Sequence, residues 1–444
     1  MLSEERCEEL LAQILKYSDA DETELLLGGG TSQLTRFANN TIHQNVAEEG
    51  TVLSVRTVYG GRTARATTNK FDAESLRRVV AESSSLARQQ QPDPELLPMP
   101  GPEDYRPVRR LFPATAAVTP QDRARAVRKA IQIAEKNGQT AAGTFSTGSG
   151  MQALLNSRGV VAYYEETSAE FSVTMTAPNS TGWAKKTSPD VREINAEGLA
   201  ARASDIASRS HDPQELAPGK YVTILEPAAV LDLVGFMFFD FSGQAVEDKR
   251  SFLTGRLGEK LFGDNINICD DAYHPLQFGP PFDGEGVKRK SVTLVEKGVV
   301  KGLTYARRTA KDMGVEPTGH GFPLPNEYGE APTNIVFSGE EHSVDEMIRS
   351  TERGVLVTRF WYIREVDPYR KILTGMTRDG TFYVENGKIK HGIRNFRFNE
   401  NLIDLLNCAE MLGPPERASG EESAPMVVPP LKVSAFNFSE VTKF

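Results

Sequence analysis

The sequence has 444 residues, of which 39% are hydrophobic and 25% are charged, and its formal net charge at pH 7 is -9. A chain of this length is too long for a single core, so two or three domains are expected. The acidic charge balance argues against a nucleic-acid binder, which needs a basic face to displace counterions from phosphate. The most apolar window, Pro227 to Phe239, is interrupted by Asp232 and is shorter than the roughly 20 residues that cross a bilayer. The composition therefore predicts a globular protein that binds neither nucleic acid nor membranes.

The targeting and cysteine signals agree with this class. The first residues, Met1–Arg6, are acidic and lack the positive start and apolar stretch of a signal peptide. Cys7, Cys269 and Cys408 are far apart and odd in number, so no disulfide framework is indicated. We therefore expect a cytoplasmic protein with reduced thiols.

The first segment alternates helical and strand patterns. Apolar residues from Leu10 to Leu15 form one face of an opening helix, and a second helix is expected from Asp72 towards Arg88. Gly28–Gly30, which follows the first of the strand patterns, is expected to form a flexible turn. The pattern predicts an N-terminal α/β domain over residues 1–90. Its strands are expected at Thr23–Leu27, Gln33–Phe37, Thr51–Tyr59 and Arg62–Thr67.

A proline-rich segment follows this domain. Seven prolines lie from Gln89 to Pro113. Proline at this density prevents regular backbone hydrogen bonding. Residues 91–113 are therefore predicted to form an extended linker.

Two further units are expected after the linker. Thr119-Pro120 is typical of a helix start, and the strand patterns and closing helix that follow predict a middle α+β segment over residues 114–212. A strand then leads directly into an apolar helix near Pro227, and hairpin signals follow it. The sequence thus predicts an α+β fold, with a β-rich C-terminal domain over 218–444 that carries peripheral helices.

A search for self-contained chemistry finds none. The six histidines include no pair at the i,i+4 spacing of a helical metal site, and neither His-Glu-x-x-His nor Cys-x-x-Cys occurs. His320 lies between Gly319 and Gly321, which would allow a close backbone approach to a ligand, although a plain loop histidine is the simpler interpretation. The residues alone indicate a multi-domain α+β protein without a self-sufficient catalytic constellation.

Four segments, in chain order, resemble signatures of the TldD/PmbA family, and the resemblance extends almost from end to end. It implies an N-terminal α/β domain, a middle segment and a β-rich C-terminal domain that holds a dimer interface and a groove. The four segments are Thr35–Gln44, Pro281–Val287, Thr318–His320 and Phe382–Ile389.

In the peptidase branch of that family, a helix at the start of the C-terminal domain carries His-Glu-x-x-x-His. By this resemblance, Leu231 and Phe236 stand at the two histidine positions, and Asp232 stands at the position of the glutamate base. The family's further cysteine ligand has no counterpart in the tail, Ser423–Val433. Zinc needs about three nitrogen, sulfur or oxygen donors, which leucine and phenylalanine do not provide. We therefore expect a chain of the PmbA/TldE type with no cofactor, with zinc only in a partner chain and with no catalytic residue of its own.

The resemblance implies a non-catalytic subunit of a peptidase that cleaves unfolded peptides, paired with a zinc-bearing TldD-type homologue or with itself as a dimer. Extended peptide would bind at the edges of C-terminal strands, and His320, Asp283 and Glu285 are the candidates for the peptide groove. Two alternatives stay open: a homo-oligomeric peptide-binding protein without a peptidase partner, and a hydrolase that uses these three residues instead of zinc. The absent zinc triad argues against autonomous hydrolysis but does not separate the subunit from the independent binding protein.

Overall fold

The computed structural model describes residues 1–442, so residues 443–444 of the predicted C-terminal domain lie outside the described part. The N-terminal part consists of α1 (Glu4–Leu15), β1 (Glu22–Ala38), β2 (Thr41–Tyr59), β3 (Arg62–Thr68) and α2 (Ala73–Gln89). The middle part consists of α3 (Pro113–Ala116), α4 (Pro120–Lys136), β4 (Thr140–Asn156), β5 (Val161–Ala177), β6 (Ser180–Ser188) and α5 (Ala196–Arg209). Both parts combine helices with antiparallel strands, as predicted.

One antiparallel sheet runs through both of these parts. Its strand order is β3-β2-β1-β4-β5-β6. β1 pairs with β4 along most of its length, from Glu24 opposite Asn156 to Phe37 opposite Gly143. The predicted linker at 91–113 therefore connects two halves of a single sheet, and the domain limits stay a prediction.

The turn predicted at Gly28–Gly30 is wrong, because this run continues β1 without a break. Strands β2 and β4 flank it on both sides, and their ladders hold the backbone extended. A side chain at Gly30 would collide with the carbonyl oxygen of Ser149 on β4. This glycine thus permits close contact between strands rather than a change of direction.

Helices cover one face of this sheet. α1 and α2 pack at one end, over Leu25 and Leu53. α4 and α5 pack at the other end, over Phe37, Phe145 and Phe171. The sheet therefore has two separate cores on the same face, one for each pair of helices.

The C-terminal part begins with a strand and a buried helix and then becomes β-rich, which confirms the predicted fold class. Within residues 1–442, no helix is long and apolar enough to cross a membrane. The elements are β7 (Gly219–Leu225), α6 (Pro227–Val234), a 3-10 helix (Gly235–Phe241), α7 (Gly243–Glu247), β8 (Ile268–Asp270), β9 (Val292–Glu296), β10 (Val299–Val300), α8 (Arg307–Met313), β11 (Ile335–Phe337), α9 (Val344–Arg349), β12 (Arg353–Asp367), β13 (Ile372–Glu385), β14 (Lys388–Gly392), β15 (Phe396–Asn401), α10 (Leu402–Asn407), β16 (Ala409–Leu412), β17 (Glu416–Ala418), β18 (Met426–Val428) and β19 (Leu431–Val441).

Five strands of this part form a closed ring in the order β12-β7-β19-β15-β13, because β12 also pairs with β13. The rings of Phe360, Phe398 and Phe436 contact one another in its core. A second sheet has the order β10-β9-β8-β11-β18-β17. Helix α6 contacts β12 of the ring and both β17 and β18 of the second sheet. The helix singled out from the sequence is therefore held between the two sheets.

The proline-rich segment contains no helix or strand between α2 and α3, but side chains tie it down at intervals. Asn156 Nδ2 donates to the carbonyl of Pro100 at 2.9 Å, and the Tyr105 hydroxyl donates to the carbonyl of Gly286 at 2.6 Å. Arg110 Nη2 donates to a carbonyl of the C-terminal part at 2.8 Å. The segment therefore runs between the sheet and the C-terminal part as an anchored strap.

Limited digestion with subtilisin should cut first within residues 101–109, where most residues are exposed and no regular hydrogen bonds protect the backbone. The two fragments should still elute together in gel filtration, since β1 stays paired with β4 after the cut. N-terminal sequencing locates the cut. Early cuts confined to the region after Pro218 would show that the linker has been misplaced.

Candidate functional site

Helix α6 follows β7 directly, as predicted, and most of it is buried. Pro227 stands in its first turn, where the missing N–H needs no partner. Leu231 is fully buried in the main hydrophobic core. Phe236 lies on the following 3-10 helix and is partly buried against the same core. The two positions that the resemblance equates with zinc-binding histidines therefore provide packing surface and no donor atom.

Asp232 is the polar exception on α6, and its side chain is fully buried. Its Oδ2 accepts the N–H of Phe360 and its Oδ1 accepts the N–H of Glu422, both at 3.4 Å. Burial raises the pKa of Asp232 to about 7, although the charge of nearby Arg359 opposes the shift. The carboxyl group therefore takes up a proton near neutral pH, and it links the helix to β12 and to the C-terminal tail.

A short tail segment, 419–423, lies across α6. Gly420 passes so close to Asp232 that a side chain at this glycine would collide with the carboxylate. The hydroxyl of Ser423 fills the space beside Gly235, where a Cβ would otherwise lie. The tail therefore lies directly against the helix, with Gly420 beside Asp232 and Ser423 beside Gly235.

Arg359 joins the middle part to the C-terminal part beside Asp232. Its Nε donates to Oδ2 of Asp379 at 2.7 Å. Its guanidinium lies 4.6 Å from the ring centre of Trp183 and 5.5 Å from that of Trp361. The sequence contains two tryptophans, and both belong to this cluster. Sequence analysis missed the cluster because strands far apart in the chain bring its members together.

His320, a candidate for the peptide groove, has a side chain that is fully buried. Its Nδ1 lies 2.9 Å from Thr318 Oγ1, and its Nε2 lies 2.9 Å from Asp270 Oδ1. Gly319 has a φ of 72°, and a side chain there would collide with the carbonyl oxygen of Lys288. The glycine is therefore needed for packing, and both imidazole nitrogens already have partners inside the protein.

Asp283 and Glu285, the other two groove candidates, both lie beside the backbone of Gly321, close to the position that a Cβ would take. Asp283 accepts the N–H of Gly321 at 2.7 Å, and Glu285 lies 3.7 Å from Arg307 Nη1. Burial, together with repulsion from Asp283, raises the pKa of Glu285 to about 7. The structure thus brings these two carboxylates together at the loop of His320 but buries all three side chains. Their role in a peptide groove stays a prediction.

A cavity of about 840 Å³ lies between the middle and C-terminal parts. Strand β6 and helix α5 line one side of it, and the first turn of α6 and the run Pro414–Ser419, which contains β17, line the other. His320, Asp283 and Glu285 do not line this cavity. No sequence signal marked it, because its walls come from residues that are far apart in the chain.

The residues around α6 do not suit zinc. Leu231 and Phe236 have no donor atom, and both carboxylate oxygens of Asp232 already accept backbone N–H groups. Residues 1–442 contain no cluster of three or more His, Cys, Asp or Glu side chains that could hold a metal ion. The side chains on this part of α6 therefore lack the groups that would activate a metal-bound water.

Asp232→Asn should change how stability depends on pH. The native state binds more protons than the unfolded state between the unfolded pKa of about 3.9 and the folded pKa of about 7, so the wild-type protein loses stability as pH rises through this window. The asparagine cannot ionise. As pH rises through this window, the free energy of unfolding of the variant relative to that of the wild type should therefore increase by up to about 1.4 kcal/mol per pH unit.

Urea unfolding at several pH values measures this difference. Asp205→Asn, at an exposed position of α5, is the control and should follow the wild-type pH dependence. Parallel pH curves for the wild type and Asp232→Asn would show that Asp232 does not have the raised pKa.

Three stretches of the chain match successive parts of one protein family. Residues 23–87 match PmbA/TldA metallopeptidase domain 1, and residues 114–210 match the central domain. Residues 218–440 match the PmbA/TldA metallopeptidase C-terminal domain. The matched stretches follow one another in the order of the three parts described above.

Individual proteins show the same likeness. An uncharacterized protein of Methanocaldococcus jannaschii is 27% identical over 303 residues, which cover 66% of this chain and 69% of that protein. Metalloprotease PmbA of Escherichia coli is 22% identical over 438 residues, which cover 94% of this chain and 92% of that protein. The crystal structure of TldE from Thermococcus kodakarensis has the same fold, with a TM-score of 0.87 at 21% identity over 97% of this chain and 99% of that one. The chain therefore belongs to the PmbA/TldD family of metallopeptidases and their relatives.

Proposed function

We propose that this chain is a cytoplasmic, non-catalytic subunit of the PmbA/TldE type, which pairs with a zinc-bearing TldD-type homologue in the proteolysis of unfolded peptides. The observation that carries the proposal is the packing of Leu231 and Phe236 against the core, on the helical segment where the peptidase branch binds zinc. A relative that spans almost the whole chain is named metalloprotease PmbA. The proposal therefore combines a peptidase family with a site that offers no metal ligands.

The surroundings of α6 support the same conclusion. The tail residues Gly420 and Ser423 lie directly against the helix, in contact distance of Asp232 and Gly235. A catalytic zinc keeps an open position for water or substrate. Here the tail residues beside the helix are Gly420 and Ser423, which add no histidine, cysteine or carboxylate ligand.

The purified protein should contain no stoichiometric zinc, because two of the family's helix ligands are replaced by Leu231 and Phe236. Elemental analysis after dialysis in a mild buffer measures the metal content. A zinc-bearing TldD-type homologue purified in the same way is the positive control. About one zinc per chain would contradict the proposal and would indicate ligands elsewhere in the protein.

This chain alone should not cleave an unstructured peptide at a chelator-sensitive rate, whereas its mixture with a zinc-bearing homologue should. The physical reason is that the metal-activated water must come from the partner. Steady-state cleavage by each chain and by the mixture, with and without chelator, measures this. Substituting the zinc ligands of the homologue is the control and should abolish cleavage by the mixture.

Robust, chelator-sensitive cleavage by this chain alone would overturn the subunit proposal. Absence of any complex with a zinc-bearing homologue would favour the alternative of an independent, homo-oligomeric peptide-binding protein. The cavity between the middle and C-terminal parts is the feature that supports this alternative, since its walls lie within one chain.

A further inference from the structure

We propose that the cavity beside α6 binds an extended peptide as an added strand on the edge of β6, with an acidic side chain of the peptide facing Lys186. This inference rests on the proposed function, because it names the ligand class that a peptidase subunit would hold. It concerns this chain alone, so it can be tested without the partner.

Two strand edges border the cavity. β6 is the last strand of the large sheet, and β17 is the last strand of the second sheet. Residues Trp183–Ser188 of β6 line the cavity together with all of β17. Such a run of β6 extends over about 20 Å. An edge strand has backbone N–H and C=O groups without a ladder partner, which an extended peptide can satisfy.

The two edges approach each other at a defined point. Thr187 Oγ1 and Ser419 Oγ form a hydrogen bond of 2.8 Å, and Lys185 Nζ donates to the carbonyl of Gly420 at 3.3 Å. These contacts join the two walls through side chains rather than through a backbone ladder. The outer ladder positions of β6 are therefore left for another chain.

An apolar patch on the wall gives the peptide a place for a hydrophobic side chain. Its members belong to or pack against one small hydrophobic cluster and also line the cavity. A cavity of about 840 Å³ with mixed polar and apolar walls has the size of ligand sites in proteins. The patch consists of Val344, Ile348, Leu356 and Ile389.

The two walls of the cavity differ in charge, and this difference indicates which kind of peptide side chain the cavity recognises. The wall of the middle part has more cations than acids, whereas the wall of the C-terminal part has more acids. The first wall carries Lys185, Lys186, Arg202, Arg209 and Glu193. The second wall carries Glu226, Asp345, Glu416 and Arg417.

Lys186 is the cation of the first wall that is free to meet a ligand. Arg202 pairs with Glu226, and Arg209 pairs with Asp205 at 3.3 Å. Lys185 lies within 3.5 Å of two carboxylates. Lys186 is exposed and forms no ion pair or hydrogen bond with any residue in 1–442. An acidic side chain on the bound strand would give this ammonium group its partner.

The binding test uses a fluorescein-labelled, valine-rich peptide with one central glutamate and measures its fluorescence anisotropy with the full chain alone. The same peptide with a central lysine should bind several-fold more weakly, because it places like charges together. A version N-methylated at alternate residues keeps every side chain but loses the ladder donors, and it should bind at least about tenfold more weakly. Equal binding of the parent and N-methylated peptides would overturn strand addition.

Two variants test the location. Lys186→Glu should reverse the preference between the two peptides, whereas Lys70→Glu, at an exposed turn of the N-terminal part, should not. Ala228→Phe should fill the cavity from the first turn of α6 and weaken binding of the parent peptide at least about tenfold. Ala201→Phe, exposed on α5 but outside the cavity, is its control.

Circular dichroism confirms that each variant is folded before binding is compared. Binding unchanged by both cavity variants, or no binding of any peptide, would overturn this inference. If this chain nevertheless stimulated peptide cleavage by a zinc-bearing homologue, the proposed function would stand without this inference. If the peptide bound as expected and no such partner associated, the inference would stand and the subunit role would fail.

Discussion

The buried guanidinium of Arg359 fixes how the edge of the large sheet meets the closed ring of the C-terminal part. Asp379 neutralises it, and the ring of Trp183 on β6 covers it. A buried cation must keep its partner, because an uncompensated charge in the interior is strongly destabilising. The neighbouring residue on β12, Phe360, donates its N–H to Asp232 on α6. The position of β6, the orientation of α6 and the width of the cavity between them therefore depend on one ion pair and its aromatic cover.

The same region shows which contacts hold α6 in place. The side chain of Leu231 is fully buried, and the burial of its apolar surface stabilises the core. Burial disfavours a charge at Asp232, but the side chain at this position must accept hydrogen bonds because two backbone N–H groups donate to it. An apolar residue at 232 would leave those donors unsatisfied. Asp232 thus provides the acceptor that its neighbours require, whereas Leu231 contributes packing alone.

Features set by neighbouring residues were predictable from the sequence. The helix start at Thr119-Pro120 and the strand that leads into α6 were both predicted correctly. Features set by distant residues were not. The extended state of Gly28–Gly30 depends on β4, more than a hundred residues later, and local composition gives no sign of it.

The candidate site also combines features that the sequence indicates with features that depend on distant residues. Asp232 stood out in the sequence as the acidic residue of an apolar helix, where burial without a partner would be costly. Its partners, Phe360 and Glu422, could not be named, because they lie on other elements far along the chain. His320 was singled out for its flanking glycines, whose packing role becomes visible only with the Lys288 carbonyl in place.

The position of β19 in the ring bears on how the protein is made. This last strand, Leu431–Val441, lies between β7 and β15, and β7 begins the same domain. Domains generally fold as units during synthesis, beginning with those nearest the N-terminus. The ring cannot close around its phenylalanine core until β19 has left the ribosome, long after β7. A chain that ended before β19 would therefore leave the ring open and expose its apolar core to the cell's proteases.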